Sequence, residues 1–466
     1  MKIVRVVLLS ILIIAILLAG NLLYAQTPGP AEPRDPGPRV TGMNAGQPLS
    51  SLTASQLQYF QDGLARFNQV ETVSSGLGPA YNATSCSSCH SQPAVGGSSP
   101  SETVFPNIGS NPQIAAATAG GATNKVPGFI TADGPVREVR FPFVAGPNGG
   151  VTRAADGGVH DLFTIAGRSD ATGCNLAQPN FAAMQQADNV IFRIPTPTFG
   201  AGLIENIADD TILDNMTANS SLKTQLGVSG HPNRSGNDGS ITRFGWKAQN
   251  KSLEVFAGEA YNVEMGVTNE LFPNERGTVS GACAINPTPE DSTNFDQSGA
   301  QIPSDVVAFA MFMRLLAPPA ASSVGIAGNP SATSIANGKA LFSQIHCDTC
   351  HSPALQTAPS SLTAGLSSQS AALFSDLLVH HMGSGLADNV TQGAAGPDEF
   401  RTAPLWGLGQ RIFFLHDGRS GPANGGLVHA IEQHSSSGSE ASRVIALYHA
   451  LTAAQKQDLL NFLRSL

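Results

Sequence analysis

Cys86, Cys89 and His90 follow the order Cys-x-x-Cys-His, and Cys347, Cys350 and His351 repeat it. Two thiols at this spacing can add to the two vinyl groups of a haem, and the next residue brings an imidazole to the iron. With 6 Cys and 11 His in 466 residues, composition alone predicts about 0.002 such motifs. Two copies are therefore not accidental. A thioredoxin-type pair needs no following His, and a four-Cys zinc site would leave both His unexplained. The motifs predict two covalently attached c-type haems, with His90 and His351 as proximal ligands.

The other two cysteines, Cys174 and Cys283, have no Cys, His or acid at metal spacing. Outside the cytoplasm they most simply form a disulfide, which would stabilise the fold by about 4–5 kcal/mol in the chain-entropy account. Two unrelated buried thiols are the alternative. Met1–Ala25 has a charged start (Lys2, Arg5), an apolar run and small residues near its end. That is the layout of an export signal, and an uncleaved anchor is the other reading. The expected location is periplasmic or exported, with membrane contact only if the signal is retained.

Charge excludes one class of function. Lys+Arg number 25 against Asp+Glu 34, a net charge of −9, and no basic cluster occurs, so a nucleic-acid partner is not expected. Gly (49) and Pro (31) are abundant enough to force many turns, which argues against coiled coils and long bundles.

Several elements must position the two motifs. Thr53-Ala-Ser-Gln56 is a capping box, and Leu57, Phe60, Leu64 and Phe67 follow at helical spacing. Ile335 and Lys339–Phe342 suggest a short helix before the second motif. Thr452-Ala-Ala-Gln455 caps a last helix whose stripe is Leu459, Leu460, Leu463 and Leu466. The expected fold is mainly α, with two cytochrome-c-like haem domains and an irregular Gly/Pro-rich middle containing short strands. The divisions are 1–25 (signal), 26–169 (N-terminal haem domain), 170–315 (middle) and 316–466 (C-terminal haem domain). In the middle, VIFRI, LIENI and ITRFGW are strands or buried loops.

The run FRTAPLWGL…FFLHDGRS…HAIEQH resembles the C-terminal haem domain of bacterial dihaem cytochrome c peroxidases. More narrowly, GPAYNATSCSSCHSQPAVGG, IPTPTFGAGLIENI, ITRFGWKAQNKSLEVFAGEAYNVEMGVTNELFP and EFRTAPLWGLG are similar, as a set covering most of the chain, to dihaem oxidoreductases grouped as peroxidases or thiol oxidoreductases. In the peroxidases a Met after the His-Asp-Gly turn ligates the C-terminal haem. His434 stands at that position here, and a His/His haem has a lower potential than a His/Met one. A solvated loop role is the alternative for His434.

The resemblance leaves the sixth position of the N-terminal haem to His160, which a buried hydrogen-bonded role or a distal acid–base role would serve as well. Peroxide chemistry needs an acid or base near an open iron, and Glu259 and Glu264 are the catalytic candidates, with structural roles as alternatives. Met265 is a candidate thioether ligand or simply packing. An aromatic between the haems would carry electrons; Trp246 and Trp406 are the two Trp, and Trp406, in the resembling C-terminal segment, is the expected one, against core packing. Arg243, Lys247 and Arg401 are candidates for haem propionates.

The reading is a peroxidase-like oxidoreductase. Electrons from a small redox donor, a cytochrome or copper protein, would pass from the C-terminal haem to an N-terminal haem that meets hydrogen peroxide or another small oxidant. The alternatives are an electron-transfer dihaem cytochrome and haem-based oxidation of an organic substrate. The resemblance also allows a calcium between the domains, although no dedicated acidic loop marks it.

Overall fold

The structure is a computed structural model that describes residues 32–39, 44–99, 102–104, 107–145, 151–155, 158–276 and 281–466. The signal segment, 1–25, lies outside the described residues. Among these, no helix is long and apolar enough to cross a membrane.

Two helix pairs frame the molecule. Helix α1 (Ala54–Asn68) starts at the expected box: Thr53 Oγ1 accepts from Gln56 N–H, and Gln56 Oε1 accepts from Thr53 N–H. Phe60, Gly63 and Phe67 turn inward, while Leu57 stays exposed. Helix α2 (Leu253–Met265) is capped by Ser252, and α3 (Asp305–Leu315) follows it in the same half. Phe60 and Phe67 of α1 meet Phe312 of α3 with ring centroids 5.2 and 4.9 Å apart. Gly63 permits this approach, since a Cβ there would lie 2.5 Å from Ala308 O.

The second pair repeats the device. Helix α4 (Ala332–Gln344) crosses α6 (Ala453–Ser465), and a Cβ on Gly338 would lie 2.0 Å from Asp458 O. The Thr452/Gln455 box forms, and Leu459, Leu460, Leu463 and Leu466 are all buried. The short helix α5 (Leu427–Glu432) lies between α4 and α6 in sequence.

The end of the 170–315 stretch is in contact with the N-terminal part of the chain, since α3 packs on α1. Strands are short, and the largest sheet among the described residues takes only one of its strands from 170–315. A three-stranded antiparallel sheet has β1 (Glu138–Arg140) at its centre, flanked by β2 (Val159–His160) and β3 (Ile191–Arg193). VIFRI thus supplies a strand, whereas LIENI begins inside a helix, Ala201–Glu205. Gly200 leads into that helix from a turn at φ 66°, and Leu203 and Ile204 are buried by helical rather than strand geometry. Cys174 and Cys283 form the disulfide, 109 residues apart in sequence.

Candidate functional site

Each Cys motif opens onto a cavity. The N-terminal one has a volume of about 150 Å³ and is lined by Cys86, Cys89 and His90. The C-terminal one, about 220 Å³, is lined by Cys347, Cys350 and His351. A third, about 50 Å³, shares Trp246 with both.

The imidazoles are held for metal binding. His90 Nδ1 lies 2.9 Å from Gly97 O, and His351 Nδ1 lies 3.0 Å from Phe374 O. A carbonyl only accepts, so Nδ1 carries the hydrogen and Nε2 keeps its lone pair for a metal. Burial holds both rings down at about 4, so both are neutral at pH 7. His434 follows α5 and has the same arrangement, with Nδ1 2.7 Å from Ala430 O. It lines the same cavity as His351.

The residues fit a haem in each cavity. Beyond the Cys pair and the imidazole, the C-terminal cavity has two buried guanidiniums, Arg401 and Arg411. Burial, with the charge of Arg411, lowers Arg401 to about 10; burial alone lowers Arg411 to about 10. Arg411 Nε and Nη2 have no partner among the described residues. Buried cations need anions, and haem carries two carboxylates. Of the three expected propionate partners, only Arg401 borders this cavity. Lys247 is committed to Asp388 at 3.1 Å and to two backbone carbonyls, and Arg243 to Asp209 and the Ile207 carbonyl. Arg411 was not anticipated, because only the tertiary structure shows it buried without a carboxylate.

The N-terminal cavity differs. His90 is its only His among the described lining residues. His160 lies elsewhere. It pairs with Val139, so both point to one face of the sheet, while Glu138 and Arg140 on the other face line the cavity. The His160 ring stacks on Phe141 with centroids 4.2 Å apart. Position after the motif suggested a ligand; strand parity turns the ring away.

Glu264 does line the cavity, one turn beyond Tyr261 on α2. Burial, reinforced by the charge of Glu138, raises its carboxyl to about 8. Asn82 Nδ2 donates to Glu264 Oε2 at 2.7 Å, and Asn82 is itself oriented by Leu162 N–H at 2.9 Å. Glu259 is on another face of α2, accepting from Asn250 Nδ2, and does not border the cavity. Met265 and Met313 border it.

The aromatic between the cavities is Trp246, not Trp406. Trp246 borders both haem cavities, and its Nε1 donates to Ile194 O at 2.8 Å. Trp406 borders only the small third cavity, packed over Gly200. Trp406 falls in the segment that resembles the peroxidases, but cavity lining follows from packing and not from position in sequence. Among the described residues, one cluster has metal-ligand spacing: Cys350, Asp376 and His380. Cys350 belongs to the haem motif, and the His380 ring is held between Asp376 at 2.9 Å and Glu440 at 2.8 Å, so this is not the oxygen cage that calcium takes.

Two Cys-x-x-Cys-His cavities joined by one Trp define a dihaem redox protein. Residues 153–466 match the family described as "Di-haem oxidoreductase, putative peroxidase", and the chain belongs to the di-haem oxidoreductase family. No match is found among curated proteins. A solved structure described as a MauG-like protein associated with microbial copper homeostasis is 17% identical, covering 58% of this chain and 89% of that chain, with a TM-score of 0.27. So loose a superposition adds nothing to the fold described above.

Proposed function

We propose that the protein is an exported, peroxidase-like dihaem c-type oxidoreductase with two cytochrome-c-like haem domains. One haem is held by thioethers from Cys86 and Cys89 with His90 on the iron. The other would be held by Cys347 and Cys350, with His351 and His434 as the imidazoles available to its iron. The observation that carries this reading is the asymmetry of the cavities. The C-terminal cavity is lined by five His, of which His351 and His434 each have Nδ1 held by a backbone carbonyl, whereas the N-terminal cavity has one, His90, facing the carboxyls of Glu138 and Glu264.

The haem, when bound, supplies iron redox chemistry. The chain supplies the rest. Reduction of hydrogen peroxide requires a proton to move from the near oxygen to the leaving oxygen. Glu264, poised at about 8, exists in both protonation states near neutral pH and can accept and return that proton. Asn82 keeps the carboxyl oriented. Arg401 and Arg411 offset propionate charge. Trp246 gives electrons a path from the His434 side to the Glu264 side. The donor is a small cytochrome or copper protein, and the acidic balance of this chain favours a basic docking face on it.

A second reading has a specific observation behind it. Met265 or Met313 on the iron would close the N-terminal haem and leave an electron carrier. Electron paramagnetic resonance of the holoprotein, oxidised and half-reduced, separates the two. A high-spin iron signal that peroxide consumes supports the enzyme. Two low-spin signals indifferent to peroxide replace it with the carrier.

A further inference from the structure

The chain has five Tyr, at 24, 59, 81, 261 and 448. Only Tyr261 among the described ones combines a ring in a haem cavity with a base at its hydroxyl. The ring is 2% exposed, lines the N-terminal cavity and meets Phe309 edge-on at 5.0 Å. Its hydroxyl lies 3.2 Å from Glu71 Oε1 and 3.2 Å from Asp305 Oδ2. Tyr81 donates to the carbonyl of Ala116, which cannot keep a proton, and Tyr59 is half exposed. Tyr448 borders the other cavity, and its hydroxyl has no partner among the described residues.

One phenol proton cannot satisfy two ionised carboxylates. Glu71 is 2% exposed, and burial pushes its carboxyl above the ordinary range. The phenol is within donating distance of both carboxylates, so its single proton can go to Asp305 while Glu71 stays beside the oxygen. Asp305 is held in turn by half-exposed Arg66 at 3.0 Å. Transferring the phenolic proton to a hydrogen-bonded base as the electron leaves avoids a buried phenol cation, whose charge would be unpaired.

We infer that Tyr261 is a redox-active side chain that gives one electron to the N-terminal haem site after peroxide has oxidised it, while its phenolic proton passes to Asp305. The O–H bond breaks and a neutral phenoxyl remains. Reduction of peroxide to two waters takes two electrons and two protons: Tyr261 supplies one electron, the small redox donor protein would supply the other, and both protons come from solvent while the phenolic proton rests on Asp305. The inference rests on the proposed reaction of peroxide in this cavity.

Rapid-freeze electron paramagnetic resonance of the holoprotein mixed with hydrogen peroxide is the test, with ordinary and with ring-deuterated tyrosine. The expected result is a free-radical signal that narrows on deuteration, disappears in Y261F and persists in Y448F. Because Y261F could lose haem, a Y59F/Y81F/Y448F variant provides the complementary arm and must keep the signal. An iron signal consumed by peroxide without a tyrosine signal overturns the role of Tyr261 and leaves the peroxide reading intact. A tyrosine signal that survives in Y261F also overturns it. An iron signal untouched by peroxide overturns both.

Discussion

At neutral pH, His90 and His351 are uncharged, and the carboxyl of Glu264 is close to its midpoint. These states follow from burial and set what each residue can do. If the base form of Glu264 takes the peroxide proton, the rate of reaction rises as pH passes upward through about 8. Glu264→Gln cannot exchange that proton. It should lower the rate by on the order of 10²–10⁴ and flatten the profile, as stopped-flow absorbance would show. Retention of a rate step near pH 8 in this variant would assign the ionisation to another group. For the other haem, His434→Met should leave both haems attached and raise one reduction potential, because a thioether favours ferrous iron. A redox titration with both potentials unchanged would remove His434 from the iron.

At the scale of elements, the two helix crossings decide whether the cavities exist. Each uses a glycine to bring backbones together, Gly63 against α3 and Gly338 against α6. Gly338→Ala must push apart α4 and α6, since the new Cβ would meet backbone at 2.0 Å. We expect a loss of about 1–3 kcal/mol, read as a lower urea midpoint. The helices themselves were legible: the Thr53 and Thr452 boxes and the final Leu stripe appear as read, since capping and 3.6-residue periodicity are local properties. The sheet was not. His160 could be placed only once its pairing with Val139 was known, and strand pairing is non-local.

At the scale of the whole molecule, a buried charge cluster ties the halves together. Asp388 accepts from Arg193 at 2.6 Å and from Lys247 at 3.1 Å, and all three are at most 2% exposed. Burial alone would raise the Asp388 carboxyl, but Arg193 and Lys247 outweigh it and hold it below its ordinary value. The sign follows: this stability is present above the unfolded-state pKa and is lost as pH falls through the lower folded-state one. Asp388→Asn leaves two buried cations uncompensated and should cost about 3–5 kcal/mol near pH 7. Urea unfolding would show the cost. Equal midpoints for variant and parent at pH 7 would mean that the cluster contributes no net stability.

The covalent and local features were set by the chain alone. Cys-x-x-Cys-His spacing makes haem attachment the expected chemistry, because two thiols and an imidazole fall within five consecutive residues. Resemblance over the rest of the chain pointed to the family, and residues 153–466 match it. Tertiary structure alone decided which residues share a cavity. Trp246 rather than Trp406 lies between the haem cavities, Glu264 rather than Glu259 faces the N-terminal one, and Arg411 is buried without a carboxylate. The same holds for the Glu71–Tyr261–Asp305 contact, whose members are up to 234 positions apart in sequence. Burial and neighbours set pKa values and ligand access, and both are properties of packing between distant segments rather than of sequence spacing.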